Sequence, residues 1–158
     1  MSASSNRRGS HVSAPPPAKL GPLEDFIGFN LRLAQDASFQ VFAQHSGEEH
    51  LRPGRFASLM IISQNPGLTQ AALARAIARD KSSVTPLVQA LQRDGLVERR
   101  PSASDRRSVT LWLTENGDSV LQSLLERAVE HDRKLDAIIG AKKPELLKAL
   151  KKIVAELG

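Results

Sequence analysis

DKSSVTPLVQALQRDGLVERRPSASDRRSVTLWLT, residues 80–114, changes its hydrophobic period once and then turns back on itself. Val84, Leu87, Val88 and Leu91 recur at three- and four-residue spacing, as one face of an α-helix does, and Gly95 after Asp94 is a C-terminal stop. Leu96 to Arg100 then reads as a strand, Pro101 to Asp105 as a turn, and Ser108 to Leu113 as a second strand with Val109, Leu111 and Leu113 on one face. A two-stranded hairpin is marginal alone, so this one is expected to lie on the preceding helices.

Upstream, Asn65, Pro66 and Gly67 stop a helix that carries Phe56, Leu59, Met60, Ile61 and Ile62. Thr69 sits where an N-cap belongs, ahead of a short helix with Ala72, Leu73, Ala76 and Ile77. Arg79 and Asp80 form the turn into the next helix, whose Pro86 is comfortable only within a first helical turn; that places the cap at Ser82 or Ser83, with Asp80 as the alternative. Gly47, Pro53 and Gly54 mark a loop. Before it, Leu23, Phe26, Ile27, Leu31, Ala34, Val41 and Phe42 predict a long helix from Leu23 to Ala43, broadened by Phe29, Leu33 and Phe39. Four of the six aromatic residues fall in it, so it is expected to be covered on more than one side.

Downstream, Thr114 caps a helix through Val120, Leu121, Leu124, Leu125, Ala128 and Val129 to about Ile139. Gly140 interrupts it, and Pro144 opens a last helix with Leu146, Leu147, Leu150, Ile153, Val154 and Leu157. The fold class is therefore mainly α with a small β-hairpin wing, a winged helix-turn-helix. Its expected organisation is a Pro-rich basic tail over 1–20, too poor in apolar residues to repay its ordering, an N-terminal dimerisation helix over 21–45, a lobe over 53–114 and C-terminal dimerisation helices over 115–158.

The 158 residues are 41% apolar and 25% charged, which fits one domain of ordinary size. The net charge of +5 is unevenly spread: +3 over 1–20, −2 over 21–74, +4 over 75–107 and zero over 108–158. A basic tail and one basic central segment are the pattern of a localised polyanion-binding face. There is no cysteine, which removes disulfides, thiolate metal sites, cysteine nucleophiles and thiol sensing, and suits a reducing cytoplasm. No apolar run is long enough to span a membrane, and none forms a secretory signal, so a cytoplasmic location and no membrane partner are expected.

A helix about 10–12 Å across fits the major groove of double-stranded DNA, with its N-terminal half toward base edges. Here that half presents Lys81, Ser82, Ser83, Thr85, Pro86 and Gln89, with Thr69 and Gln70 at the start of the preceding helix. Arg99, Arg100, Arg106 and Arg107 flank the wing turn, where arginine can meet backbone phosphates or a narrow A·T-rich minor groove.

Leu73, Ala74, Asp80 to Thr85, then Leu91, Gly95, Leu96, Val97 and Arg99, resemble the multiple-antibiotic-resistance regulator (MarR) family of transcription factors. The likeness continues through Asp105, Arg107, Ser108, Leu113 and Thr114, the family's wing pattern D-x-R-S followed after four residues by L-T, and through Glu115 and Gly117. In order of elements it covers about residues 23–157. It implies a homodimer with intertwined first and last helices, two winged lobes on a palindromic operator, and repression released by a small organic effector, often aromatic or phenolic, bound between dimer helices and lobe. In that frame Asp105 positions Arg107. Pro86 departs from the basic or polar residue that many relatives carry there, so their base preferences do not transfer. A dimer also has independent support, because apolar stripes at both chain ends exceed what one small chain can cover.

The residues expected to meet an effector are Phe26, Phe29, Asn30, Arg32, Phe39 and Met60, the phenylalanines serving foremost as dimer core. No cofactor and no metal is expected: His45, His50 and His131 with Glu48 and Glu49 offer no ligand pair at helical spacing and read as loop residues. Lys142, Lys143, Lys148, Lys151 and Lys152 read as the solvated face of the last helix. The competing function is a nonspecific nucleic-acid or nucleoid-associated protein, which would bind all DNA alike. A Ser-His-Asp hydrolase is disfavoured, since no nucleophile elbow accompanies those residue types.

Overall fold

A computed structural model describes residues 18–44, 53–78, 80–102 and 109–158. The expected tail up to Pro17, the loop histidines His45 and His50 with Glu48 and Glu49, and Asp105, Arg106 and Arg107 lie outside the described residues.

The chain divides into two units, the first ending at Ala34 and the second running from Gln35 to Gly158. In the first, Gly21–Asp25 is a 3-10 turn rather than the start of a long helix. Phe26 adopts an extended conformation (ψ 120°) after it, and α1 (Ile27–Gln44) begins only then. Pro22 within the turn favours this tight start. The Asn30 side chain donates to the carbonyl of Glu24 (2.8 Å), an acceptor that a continuous helix would have used, and to that of Phe26 (3.0 Å), which also accepts the Asn30 backbone N–H (3.1 Å).

The second unit holds the last part of α1, then α2 (Pro53–Gln64), α3 (Gln70–Ala76), α4 (Lys81–Arg93), α5 (Glu115–Ile139) and α6 (Lys143–Leu157). Pro53 and Gly54 form the first turn of α2 instead of a loop, as proline tolerates a position whose N–H has no helical partner. The sheet has three antiparallel strands in the order β1-β3-β2, formed by Leu68–Thr69, Val109–Leu113 and Val97–Pro101. Thr69 ends β1 and also caps α3, its hydroxyl accepting from the Ala72 N–H at 3.2 Å. The expected two-stranded hairpin is thus extended by a third short strand, which pairs Leu68 with Leu111 and Thr69 with Thr110.

One apolar core joins these layers: Leu59 and Ile62 of α2, Leu73 of α3, Val84, Val88 and Leu91 of α4, Leu111 of β3, and Leu121 and Leu124 of α5. Val109 departs from the expected alternation. It is exposed at the outer end of the hairpin, where it pairs with Pro101, while Leu111 is buried.

The two ends of the hairpin meet at a close crossing. Gly95, in the left-handed region at φ +68°, ends α4, and its carbonyl accepts from the Thr114 hydroxyl at 2.6 Å. The Thr114 N–H donates to Leu96 O (3.1 Å), and the same Thr114 oxygen accepts from the Gly117 N–H (2.9 Å) as the cap of α5. A Cβ on Gly117 would stand 2.0 Å from the Leu96 carbonyl oxygen, so only glycine fits. Gly117→Ala is therefore expected to destabilise the chain by about 2–4 kcal/mol in urea unfolding. Gly28→Ala in α1, where the added methyl meets no described atom, should instead be neutral or stabilising by up to about 1 kcal/mol.

Candidate nucleic-acid interface and ligand cavity

The division of α4 into two faces sets the first site. Val84, Val88 and Leu91 are each 0% exposed and hold the helix to the core. The opposite face carries Ser82, Pro86, Gln89 and Arg93, all exposed and spaced as one helical stripe. Ser83 and Thr85 flank it and are half-buried, and Lys81 opens the helix. Arg93 was absent from the expected contacts, although a step of four from Gln89 predicts it on the same face.

The helix begins one turn earlier than the position of Pro86 suggests. Asp80, not Ser82 or Ser83, is the cap. Its carboxylate accepts from the Ser83 N–H and the Ser83 hydroxyl, each at 2.8 Å, and from the Ser82 hydroxyl. Three donors on one carboxylate outweigh the preference of proline for a first turn. Pro86 consequently lies inside the helix, where a proline forfeits the i−4 hydrogen bond at about 3 kcal/mol. The same hydrogen bonds, that of the Ser82 hydroxyl foremost, hold the Asp80 carboxyl well below the usual carboxylate range.

Gln70, the first residue of α3, spans two elements. Its amide nitrogen donates to Thr85 Oγ1 on α4 and its oxygen accepts from Arg99 on β2, both at 2.9 Å. Arg99 and Arg100 leave β2 in opposite directions, so they do not converge as a pair. Arg99 faces α3, whereas Arg100 lies over the Trp112 ring at 4.6 Å and donates from Nε to Glu98 at 2.7 Å. Trp112 Nε1 donates to Thr110 Oγ1 (2.9 Å), whose hydroxyl donates to the Arg100 carbonyl (3.0 Å). The outer part of the two paired strands is therefore laced by side chains from both.

A cavity of about 690 Å³ lies among α1, α2 and α5 of the second unit. Phe39, Phe42 and Phe56 supply its aromatic wall, with Ser38 and His131 as polar neighbours. His131 is on α5 rather than in a loop. Its Nε2 is 2.9 Å from Ser38 Oγ, its ring meets Phe42 edge-on at 5.7 Å, and its Nδ1 is buried without a hydrogen-bond partner. Asp132 and Asp136 also line the cavity, and both pair with Lys143, at 2.9 and 2.5 Å. That lysine is thus a clamp between α5 and α6 instead of part of a solvated face, and Asp136 first, then Asp132, raise its pKa. Arg55, next to the cavity residues Gly54 and Phe56, forms an ion pair with Asp94 at the end of α4.

Of the expected effector residues, Phe39 lines this cavity, whereas Met60 packs against the apolar core. Arg32 stacks on Phe29 at 5.3 Å in the first unit, where Phe26 is exposed and Asn30 binds the turn carbonyls described above. His131 and Phe56 were not foreseen, because the residues that meet them are far away in sequence. Among the described residues no three histidine or acidic side chains cluster as metal ligands, and no helix is long and apolar enough to cross a membrane.

Two helices in a tight turn, the second exposed along a polar stripe, followed by a sheet with a basic hairpin, define a winged helix-turn-helix of the DNA-binding type. The sequence profile described as the MarR family matches residues 51–109. A transcriptional regulatory protein for the hcr operon of Thauera aromatica is 34% identical over 135 residues, covering 84% of this chain and 81% of that protein. The transcriptional repressor CouR, solved on a 23-mer DNA duplex, superposes with a TM-score of 0.78 at 28% identity over 89% of this chain and all of that one. CouR bound to p-coumaroyl-CoA gives 0.76 at 25% identity, over 89% of this chain and 99% of that one. The PcaV regulator of Streptomyces coelicolor, solved with its natural ligand, gives 0.76 at 26% identity, over 89% and 98%. The chain belongs to the MarR family and is a DNA-binding transcriptional regulator rather than an enzyme.

The cap of α4 makes a pH prediction. Because the Asp80 pKa is lowered on folding, its contribution is complete above the ordinary carboxylate pKa and is lost as pH falls toward the folded value. In urea unfolding, the stability difference between the native chain and Asp80→Asn should be constant from about pH 7 to 5 and shrink below pH 4.

Proposed function

We propose that two copies of the chain form a cytoplasmic homodimer whose winged lobes read a palindromic operator and repress transcription until a small organic effector enters the cavity. The observation that carries the DNA reading is the exposed stripe of α4 opposite its three fully buried residues. Ser82, Ser83, Thr85, Pro86 and Gln89 would meet base edges and nearby phosphates, with Lys81, Thr69 and Gln70 at the groove margin. Arg99, Arg106 and Arg107 would hold the wing to the backbone, Asp105 fixing Arg107. The domain division at 21–45, 53–114 and 115–158 belongs to this reading. Dimerisation is supported by apolar side chains left in solvent on the last two helices, Ile138 of α5 at 80% exposure and Leu157 of α6 at 83%, with Val154 of α6 exposed as well.

For the effector, the aromatic wall and the partnerless His131 Nδ1 favour a planar aromatic acid or its coenzyme A thioester. An occupant against Phe56 would bear on α2, and through Arg55 and Asp94 on the end of α4, which gives a path from cavity to groove.

Fluorescence anisotropy of the full chain on DNA from its own upstream region against scrambled DNA, across a salt series, tests this. The expected preference is about a thousandfold, with a steep salt slope on both. Arg106→Ala with Arg107→Ala should abolish operator binding while sedimentation still shows a dimer. Equal affinity for upstream, candidate promoter and scrambled DNA would favour nonspecific binding instead. With DNA bound, a panel of aromatic acids and thioesters should release it, and His131→Leu should raise the concentration required about tenfold without changing DNA affinity. Release unaffected by His131→Leu would remove the cavity from the account.

A further inference from the structure

We propose that Pro86 reads the C5-methyl group of a thymine, so that one base pair of the bound DNA is chosen by an apolar contact rather than a hydrogen bond. This rests on the reading of α4 as the helix that enters the major groove.

Pro86 is the sixth residue of α4, counted from Lys81, beyond the first turn in which proline is at ease. Without an N–H it cannot bond to the Ser82 carbonyl, and its ring crowds that oxygen. Nothing in the packing asks for it. Val84, Val88 and Leu91 make the buried contacts, Asp80 starts the helix, and Pro86 itself is exposed. A residue that opposes the local structure on an exposed surface points to a contact outside the chain.

Its neighbours define that contact. Ser82, Gln89 and Arg93 on the same stripe are polar or charged, so Pro86 is its one apolar member. In the major groove the four base-pair orientations differ in donors and acceptors, and thymine alone adds a methyl group. The pyrrolidine ring has no donor to offer a base, but it presents carbon at the helix surface and loses no rotamer freedom on contact. Matching ring to methyl is the reading its chemistry allows.

A DNA duplex selected by the full native chain from a random library supplies the probe. Each thymine in it is then replaced singly by deoxyuridine, which deletes only the methyl, and binding is measured by anisotropy at fixed salt. At one thymine per half-site, deoxyuridine should weaken the native chain about tenfold, whereas Pro86→Gly, which leaves no side-chain carbon there, should bind both duplexes equally. Pro86→Val, which restores the N–H but keeps methyl groups there, should retain part of the discrimination. Both variants should melt no lower than the native chain and bind scrambled DNA with unchanged salt slope. The proposal is overturned if no thymine shows the methyl effect, or if Pro86→Gly keeps it. If Pro86 served only to bend α4, both variants would weaken on every duplex by the same factor. A selection that enriches no sequence would instead contradict sequence-specific reading itself, and the inference would fall with it.

Discussion

The approach of Gly117 to the Leu96 carbonyl, with Thr114 bonded on either side of it, is the constraint on which the rest of the structure depends. Four elements end or begin there: α4, β2, β3 and α5. A side chain at Gly117 would push α5 from the sheet, and without the Thr114 hydroxyl both the Gly95 carbonyl and the first turn of α5 would lose a partner. The crossing ties the end of α4 to the root of the hairpin. The family resemblance in Leu113, Thr114, Glu115 and Gly117 includes the residues that make this crossing.

Outward from that point, charge and apolarity separate. The core takes Val84, Val88 and Leu91, and leaves Ser82, Pro86, Gln89 and Arg93 facing solvent. Gln70 links Thr85 on the helix to Arg99 on the strand, so groups expected to meet bases and backbone are held at a fixed separation before DNA arrives. On the far side, Lys143 clamps Asp132 and Asp136, and Arg55 reaches Asp94 from beside the cavity wall. Polar links thus run from the cavity margin to both the last helix and the end of α4.

What was legible in the sequence is what local chemistry dictates. Thr69, Thr114 and Gly95 declare helix ends because capping needs only neighbours within a turn, and the apolar period of α4 and α5 names their buried faces. The misses came where distant partners decide. The strand Leu68–Thr69 is too short to show a period and exists because β3 offers it an edge. Asp80 displaced the serines as cap because its carboxylate gathers both of their hydroxyls, which a rule about proline does not weigh. His131 looked like a loop residue, and its role depends on Ser38 and Phe42, which only the fold brings to it. Val109 obeyed strand alternation in the sequence, but the sheet had no core left to cover it at the hairpin's outer end.

In the proposed function, paired lobes each place α4 in a major groove. A hydroxyl-radical footprint of the full chain on its selected duplex measures this directly. Two protected segments on one face of the DNA, centred about one helical turn, roughly 10 base pairs, apart and related by a dyad, are the predicted result. Uniform protection without register or symmetry would contradict it.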